Sequence, residues 1–196
     1  MNLEDFSLIN TFFVVIWIMG PAYLANAIAV LTGGKFPIDQ KKTLADGNRI
    51  LGDGKTWSGL AGGTIGGIGF GYILNSANGN SLLKKITGEN FDEELWGETP
   101  IIVFFLLAFG ALLGDICASF YKRRQNLQRG ERFPILDMFD FIFMSLFLCL
   151  LFQGPWLKTW ILDGWMPIFT IIFITPLLHR GVNIIGYKIG IKNEPW

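Results

Sequence analysis

Charged residues are scarce in this chain. They make up 16% of its 196 residues, whereas hydrophobic residues make up 51%. Soluble domains average about 25% charged residues, so the composition predicts an integral membrane protein. Because the formal net charge is zero, bulk charge gives no support for a nucleic-acid partner, and we expect none.

Cysteine and histidine are also rare. The two cysteines, Cys117 and Cys149, lie in different apolar segments, without the spacing of zinc ligands or a disulfide framework. The one histidine, His179, has no catalytic partner nearby in the sequence, so we interpret it as structural. Glu4 and Asp5 stand before the first apolar segment, where a cleaved signal peptide would carry basic residues, so we expect none there.

Five apolar segments approach the length of about 20 residues that a membrane-spanning helix needs. They are residues 6–30, 59–74, 100–120, 138–156 and 161–179. The sequence therefore predicts an all-α integral membrane protein of about five transmembrane helices with cytoplasmic loops. We expect residues 1–196 to form a single transmembrane catalytic domain. The short break at residues 157–160 predicts a tight turn, and Trp156, Trp160 and Trp165 beside it are typical of a membrane interface.

The loops alternate in charge. Thirteen of the 16 basic residues lie in residues 31–58, residues 121–137 and the tail after residue 179. The opposite side carries an acidic cluster of Glu89, Asp92, Glu93, Glu94 and Glu98. By the positive-inside rule, we expect the N-terminus outside the cell membrane and the C-terminus in the cytoplasm. Both loops with unusual sequences then face the cytoplasm.

Glycines follow a regular spacing in the second segment. Gly59, Gly63, Gly67 and Gly71 recur every fourth residue, which places them on nearly one face of a helix. Such a face favours close packing against a neighbouring helix. The alternative is an opening for a lipid chain or headgroup.

A glycine-rich loop precedes that segment. It contains Gly52, Asp53, Gly54, Lys55 and Thr56. The run is not a P-loop, because Arg49 stands where that motif needs a glycine, and no buried strand precedes it. Its flexible backbone can nevertheless turn N–H groups toward an anion, so we predict contact with a phosphate or a nucleotide.

Three carboxylates stand at the ends of two long apolar segments. Asp115 ends the third segment, whereas Asp137 and Asp140 begin the fourth. A carboxylate within a bilayer costs about 2.5 kcal/mol or more, so it usually serves a function. A continued helix would place Ser119 and Lys122 on the face of Asp115. Oxygen ligands without His or Cys favour Mg²⁺ over zinc.

Two other polar residues have simpler interpretations. Arg124, in the basic loop, is interpreted as a topology anchor. Asn26 follows Pro21, which frees a helical carbonyl, in the first segment. Asn26 either forms an interhelical hydrogen bond or contacts a substrate.

Three strings carry a family resemblance. They are Pro21-Ala-Tyr-Leu-Ala-Asn26, Gly52-Asp-Gly-Lys-Thr-Trp-Ser-Gly59, and Gly114-Asp115 followed by Ser119, Lys122-Arg123, Pro134, Asp137 and Asp140. Together they resemble the archaeal CDP-archaeol synthases, which are CTP-dependent cytidylyltransferases acting on an unsaturated archaeal analogue of phosphatidic acid. The resemblance spans nearly the whole chain. It implies five membrane helices, a cytoplasmic nucleotide site and a requirement for magnesium.

The resemblance also implies roles for the candidate residues. The expected partners are CTP, a phosphorylated isoprenoid glycerol lipid and the surrounding membrane lipids. Catalytic residues would be Asp115, Asp137, Asp140 and Lys122, with the three aspartates as ligands of one or two Mg²⁺ ions. Substrate-binding residues would be Asn26, Gly52, Asp53, Gly54, Lys55, Thr56, Ser119 and Arg123. Among these, the cations would bind phosphates, Asp53 and Thr56 would orient the nucleotide, and Asn26 would contact its base or ribose.

Three alternatives stay open from the sequence. A small cation transporter would explain the intramembrane carboxylates, although not the glycine-rich loop. The third string also resembles CDP-diacylglycerol synthases, which act on acyl phosphatidic acid, but the Gly-His-Gly-Gly run of the bacterial enzymes is absent. A CDP-alcohol phosphotransferase would need aspartates spaced by four positions, whereas Asp137 and Asp140 are spaced by three.

Overall fold

The computed structural model describes residues 7–88, 99–128, 131 and 133–190. Its α-helices are α1 (Leu8–Thr32), α2 (Trp57–Leu74), α3 (Ala77–Thr87), α4 (Ile101–Arg124), α5 (Pro134–Phe152), α6 (Gly154–Leu157) and α7 (Trp165–Lys188), with a π-helical turn at Lys158–Leu162. Within these ranges no β-strand forms, and the only bridges are isolated ones in the loop between α1 and α2. The predicted all-α fold class is confirmed. The predicted acidic cluster and the basic residues Arg129, Arg132 and Lys192 lie outside the described residues.

Local sequence sets where several helices begin. The Ser7 hydroxyl accepts a hydrogen bond from the Asn10 N–H at 3.3 Å, and α1 starts there. The Thr56 hydroxyl does the same for the Gly59 N–H at 3.1 Å at the start of α2. Such N-caps satisfy backbone donors that have no partner inside the helix. Pro134 begins α5, where its missing N–H costs nothing.

The helices pack into one bundle around an apolar core. Helix α1 contacts α2, α4 and α7, and α4 also packs along α5. Met19, Leu107 and Ile161 are among the largest fully buried side chains of this core. Most other apolar side chains of the long helices face outward, as expected for a protein whose surroundings are lipid.

The glycine face of α2 is filled by its neighbours. A β-carbon on Gly67 would lie 2.5 Å from the β-carbon of Ala108 in α4 and 2.8 Å from the carbonyl oxygen of Pro21 in α1. A β-carbon on Gly63 would lie 2.7 Å from the carbonyl oxygen of Ala25. The prediction of close helix packing is confirmed, and the alternative of a lipid opening along this face is wrong.

In the part of the chain that the structure describes, four helices are long and apolar enough to cross a membrane by length and composition: Leu8–Thr32, Ile101–Arg124, Pro134–Phe152 and Trp165–Lys188. The predicted second span corresponds to α2, which is glycine-rich, has 18 residues and falls outside these four. It still lies in the bundle between α1 and α4. The prediction of about five spans is therefore consistent with the architecture.

The connection before the last helix differs from the prediction. Helix α5 ends at Phe152, and α6 and the π-helical turn fill residues 154–162 before α7 begins at Trp165. Trp160 is 3% exposed and belongs to the core, so its assignment to the membrane interface was wrong. The turn is longer than predicted because Gln153 and Gly164, not residues 157–160, interrupt the helical backbone.

Candidate active site

The loop between α1 and α2 is held against the end of α4. The Arg124 guanidinium donates to the Asp46 carboxylate at 2.7 Å and to the Arg49 carbonyl at 2.6 Å. It also lies over the Phe120 ring, 5.3 Å from the ring centroid. Arg124 therefore binds the loop, and its interpretation as a topology anchor stays a prediction beside this contact.

A buried carboxylate organises the interior of the same loop. The Asp39 side chain is fully buried and accepts two hydrogen bonds from the Arg49 guanidinium, at 2.7 and 3.0 Å. It also accepts the backbone N–H groups of Lys41, Leu51 and Gly52 at 2.9–3.1 Å. Burial alone would raise the pKa of Asp39, but these donors together hold it well below its usual value. The carboxylate is therefore ionised throughout the physiological range.

A lysine of this loop contacts an aspartate of α4. Lys55 Nζ lies 2.6 Å from the Asp115 carboxylate, and the two side chains are 19% and 42% exposed. The backbone of Lys55 is also held in the loop, because its carbonyl accepts a hydrogen bond from the Ile38 N–H at 2.9 Å. The partial burial makes this a stronger pair than one on an open surface.

Close packing of α4 on α5 brings the carboxylates to one place. Gly114, directly before Asp115, lies against the backbone of Asp140, where a β-carbon would clash. One turn earlier, a β-carbon on Gly110 would lie 2.7 Å from Cα of Ser145. Two small residues four apart let the helix backbones approach closely. The Gly114-Asp115 dipeptide therefore combines a helix contact with a carboxylate that lines a cavity.

A second lysine–aspartate pair joins the same helices. Lys122 Nζ lies 3.0 and 3.1 Å from the two oxygens of Asp137. Asp137 also accepts the N–H of Phe133 at 2.9 Å, which fixes it at the start of α5. Arg123, next to Lys122, donates to the carbonyl of Leu127.

Two cavities meet at these charges. A polar cavity of about 250 Å³ lies under the loop, and a more apolar cavity of about 400 Å³ lies between α1 and α7. Both are lined by Lys55, Asp115, Asp137, Asp140, His179 and Asn183. A ligand with a charged head and an apolar tail could therefore occupy both at once.

The structure places most predicted site residues in these walls. The polar cavity is lined by Gly54, Lys55, Asp115, Ser119, Lys122, Arg123, Asp137 and Asp140. Asn26 lines the apolar cavity, and within the described residues its buried amide oxygen has no hydrogen-bond partner. Thr56 lines a smaller neighbouring cavity with Asn26.

Two predicted residues lie away from these walls. The Asp53 carboxylate pairs with Arg49 at 3.0 Å and is 57% exposed. Gly52 has φ +97°, and a β-carbon there would lie 3.4 Å from the Arg123 guanidinium. At that distance a β-carbon would make ordinary contact, so the positive φ, and not the space, favours glycine at this position beside Arg123.

Sequence reasoning missed residues on α7. His179 lines both cavities and its ring stacks on Phe141, with 6.2 Å between centroids. Asn183, one turn later, lies 3.3 Å from a His179 ring nitrogen. The interpretation of His179 as purely structural is corrected by this position. A spacing of four between His179 and Asn183 was the available signal, but the predicted span ended at 179.

The three aspartates share a cavity without forming a ready metal centre. Within the described ranges, no group of three or more His, Cys, Asp or Glu side chains is close enough to hold one ion. The reason is visible for two of them, because Asp115 and Asp137 are engaged by Lys55 and Lys122. The donor chemistry suits a hard cation once these lysines exchange partners.

Comparisons with known proteins agree on one family. The CarS-like family model, described as CDP-archaeol synthase, matches residues 8–196. The CDP-archaeol synthase of Archaeoglobus fulgidus is 41% identical over 92% of this chain and 96% of its own length. That of Methanospirillum hungatei is 44% identical over 91% of this chain and 100% of its own length.

A solved structure supports the same conclusion. It belongs to an intramembrane enzyme for archaeal membrane lipid biosynthesis, is 31% identical, and superimposes with a TM-score of 0.59. The match covers 86% of this chain and 92% of that one. With the apolar helices, this identifies a multi-pass membrane protein. The chain belongs to the CDP-archaeol synthase family.

Proposed function

We propose that this chain is a CTP-dependent cytidylyltransferase that converts an archaeal lipid phosphate into CDP-archaeol and pyrophosphate. The observation that carries the proposal is the shared wall of the two cavities. Carboxylates and cations meet there at the mouth of an apolar space between α1 and α7. A triphosphate fits the charged cavity, and a lipid phosphate fits both the charged cavity and the apolar one. Residues 1–196 would act as one catalytic domain.

The reaction needs no protein nucleophile. An oxygen of the lipid phosphate attacks the α-phosphorus of CTP, a new P–O–P bond forms, and the bond between the α- and β-phosphates breaks to release pyrophosphate. An ionised phosphate monoester is already nucleophilic, so the protein chiefly positions the reactants and balances charge.

The cations of the polar cavity would bind the phosphates. Lys55 and Lys122 would exchange their partner carboxylates for phosphate oxygens, and Arg123 would add a planar donor group. Ser119, on the same helix face as Asp115, would donate its hydroxyl. Direct nucleotide contacts by Asp53 and Thr56 stay predictions, because Asp53 binds Arg49 and Thr56 caps α2.

Magnesium is the metal that this donor set favours. Asp115, Asp137 and Asp140 would hold it, since all three line the polar cavity and offer only hard oxygens. A bound Mg²⁺ ion would neutralise charge on the phosphates and the leaving pyrophosphate. When the cavity holds no ligand, Lys55 pairs with Asp115 and Lys122 pairs with Asp137.

The lipid tails would occupy the cavity between α1 and α7. Val30 and Leu31 line it from α1, and Leu178 and Val182 line it from α7. The glycine face of α2 is excluded as a route because Ala108 and the α1 backbone fill it. Isoprenoid chains are the proposed tails, as the family implies. We further propose that the site faces the cytoplasm, supported by the basic residues around it.

Turnover with labelled CTP tests this proposal. Purified protein would receive CTP and a lipid phosphate bearing either isoprenoid ether or fatty-acyl ester chains, with and without Mg²⁺. We expect CDP-lipid and pyrophosphate in equal amounts, only with the metal, and faster with isoprenoid chains. Faster turnover of the acyl lipid would instead indicate a CDP-diacylglycerol synthase. No turnover together with no CTP-dependent thermal shift would contradict the proposal and favour a transporter.

A further inference from the structure

The buried carboxylate of Asp39 lines neither of the two cavities. It lies in the loop between α1 and α2, outside the walls of both, yet its side chain is fully buried. Burial of a charge is costly unless several donors compensate for it. Asp39 has five such donors, two from Arg49 and three from the backbone. Solubility alone does not explain a buried carboxylate with five donors in a surface loop.

Four of these five donors come from residues 49–52, the segment that leads into Lys55. Oδ2 of Asp39 accepts the N–H groups of Leu51 and Gly52, at 3.1 and 2.9 Å. The Gly52 carbonyl in turn accepts a hydrogen bond from the Lys55 N–H at 3.4 Å. The Lys55 carbonyl accepts one from the N–H of Ile38, the residue before Asp39. Asp39 thus holds both sides of the turn from which the Lys55 side chain reaches Asp115.

The same turn also lies directly beside Arg123. Gly52 has φ +97°, a conformation that its bond to Asp39 holds, and it faces the Arg123 guanidinium. A shift of this backbone would therefore disturb Lys55 and Arg123 together. Both are cations of the polar cavity.

We propose that Asp39, clamped by Arg49, is a positioning residue that sets the placement of Lys55 and Arg123 for the nucleotide triphosphate. This inference rests on the proposed function. Asp39 contacts no reacting group and acts only through the turn at residues 51–55. Its loss should weaken use of CTP without affecting the apolar cavity, which α1 and α7 form.

Asp39→Asn is the sharpest variant because it keeps size and shape. Oδ2 faces three donors and Oδ1 faces two, so an amide can match only one side in either orientation. The NH₂ group must then face at least two N–H donors. Asp163→Asn is the matched control, since it makes the same substitution at an exposed aspartate that lies outside this loop and lines neither cavity.

The experiment measures turnover with CTP and lipid phosphate varied separately, alongside unfolding temperature in detergent. For Asp39→Asn we expect KM for CTP to rise about tenfold or more, with KM for the lipid and the unfolding temperature near wild type. Asp163→Asn should change each value less than twofold. Equal losses toward both substrates, or an unchanged KM for CTP, would overturn the inference.

Arg49→Lys gives a second test if Asp39→Asn does not fold. It keeps the positive charge but loses the two-pronged contact with Asp39. We expect a smaller rise in KM for CTP in the same direction, and an unchanged value would overturn the inference. Wild-type protein without any turnover would instead defeat the proposed function, so the two failures are distinguishable.

Discussion

Removal of the Lys55 charge tests the centre of the site. Lys55→Met keeps the length of the side chain and deletes the ammonium group that lies 2.6 Å from Asp115. A hydrogen bond to a charged group contributes about 1.5–3 kcal/mol, and each 1.4 kcal/mol is a factor of ten. Because Lys55 gives up Asp115 when it binds a phosphate, the lower part of this range applies. We expect kcat/KM for CTP to fall about 10- to 40-fold.

Steady-state turnover of labelled CTP by purified protein would measure this loss. Lys42→Met is the matched control, because Lys42 is an exposed lysine of the same loop and lines neither cavity. Folding should survive in Lys55→Met, since the remaining Asp115 side chain is 42% exposed and can be hydrated. A value of kcat/KM within twofold of wild type, in protein with a normal unfolding temperature, would refute the assignment of Lys55.

Three further outcomes are expected. Val182→Trp should fill part of the apolar cavity and raise KM for the lipid about tenfold, equal to about 1.4 kcal/mol. Kinetics with varied CTP should show an unchanged KM for CTP. Gly67→Val should cost about 1–3 kcal/mol of stability through its clash with Ala108, seen as a lower unfolding temperature, whereas Gly69→Val, where a β-carbon meets nothing within 4 Å, should not. The pKa of Asp39 is lowered in the folded protein, so its contribution to loop stability is present above the unfolded value of about 3.9 and is lost as pH falls. Hydrogen-exchange protection of the loop amides, corrected for intrinsic rates, should therefore decrease in acid, and a flat profile would contradict this.

The sequence predicts the helices and their carboxylates well, for physical reasons. Long apolar runs must be helical in a bilayer because every backbone group needs a partner. Asp115 and Asp140 are conspicuous in such runs because their burial is costly, and the structure places both on one cavity. The role of the α2 glycines also follows from spacing, since Gly63 and Gly67 contact α1 and α4.

Other features depend on contacts that spacing cannot show. The pairing of Lys55 with Asp115 joins residues 60 positions apart and requires the folded loop. His179 was interpreted as structural because it has no catalytic partner nearby in the sequence, and the predicted span ended at this residue. In the structure α7 continues to Lys188, and its polar residues His179 and Asn183 turn toward the cavity.

The two lysine–aspartate pairs link nucleotide binding to metal binding. Separating Lys55 from Asp115, or Lys122 from Asp137, leaves both halves of a partly buried pair without compensation. Phosphate oxygens can satisfy only the lysines, and a cation can satisfy only the aspartates. CTP bound alone therefore leaves aspartates unpaired, and Mg²⁺ bound alone leaves lysines unpaired. Each ligand removes the cost of binding the other, which is positive coupling between them. Thermal shifts should show CTP and Mg²⁺ together stabilising the protein by more than the sum of their separate effects, whereas simple additivity would show that the pairs stay closed in the bound state.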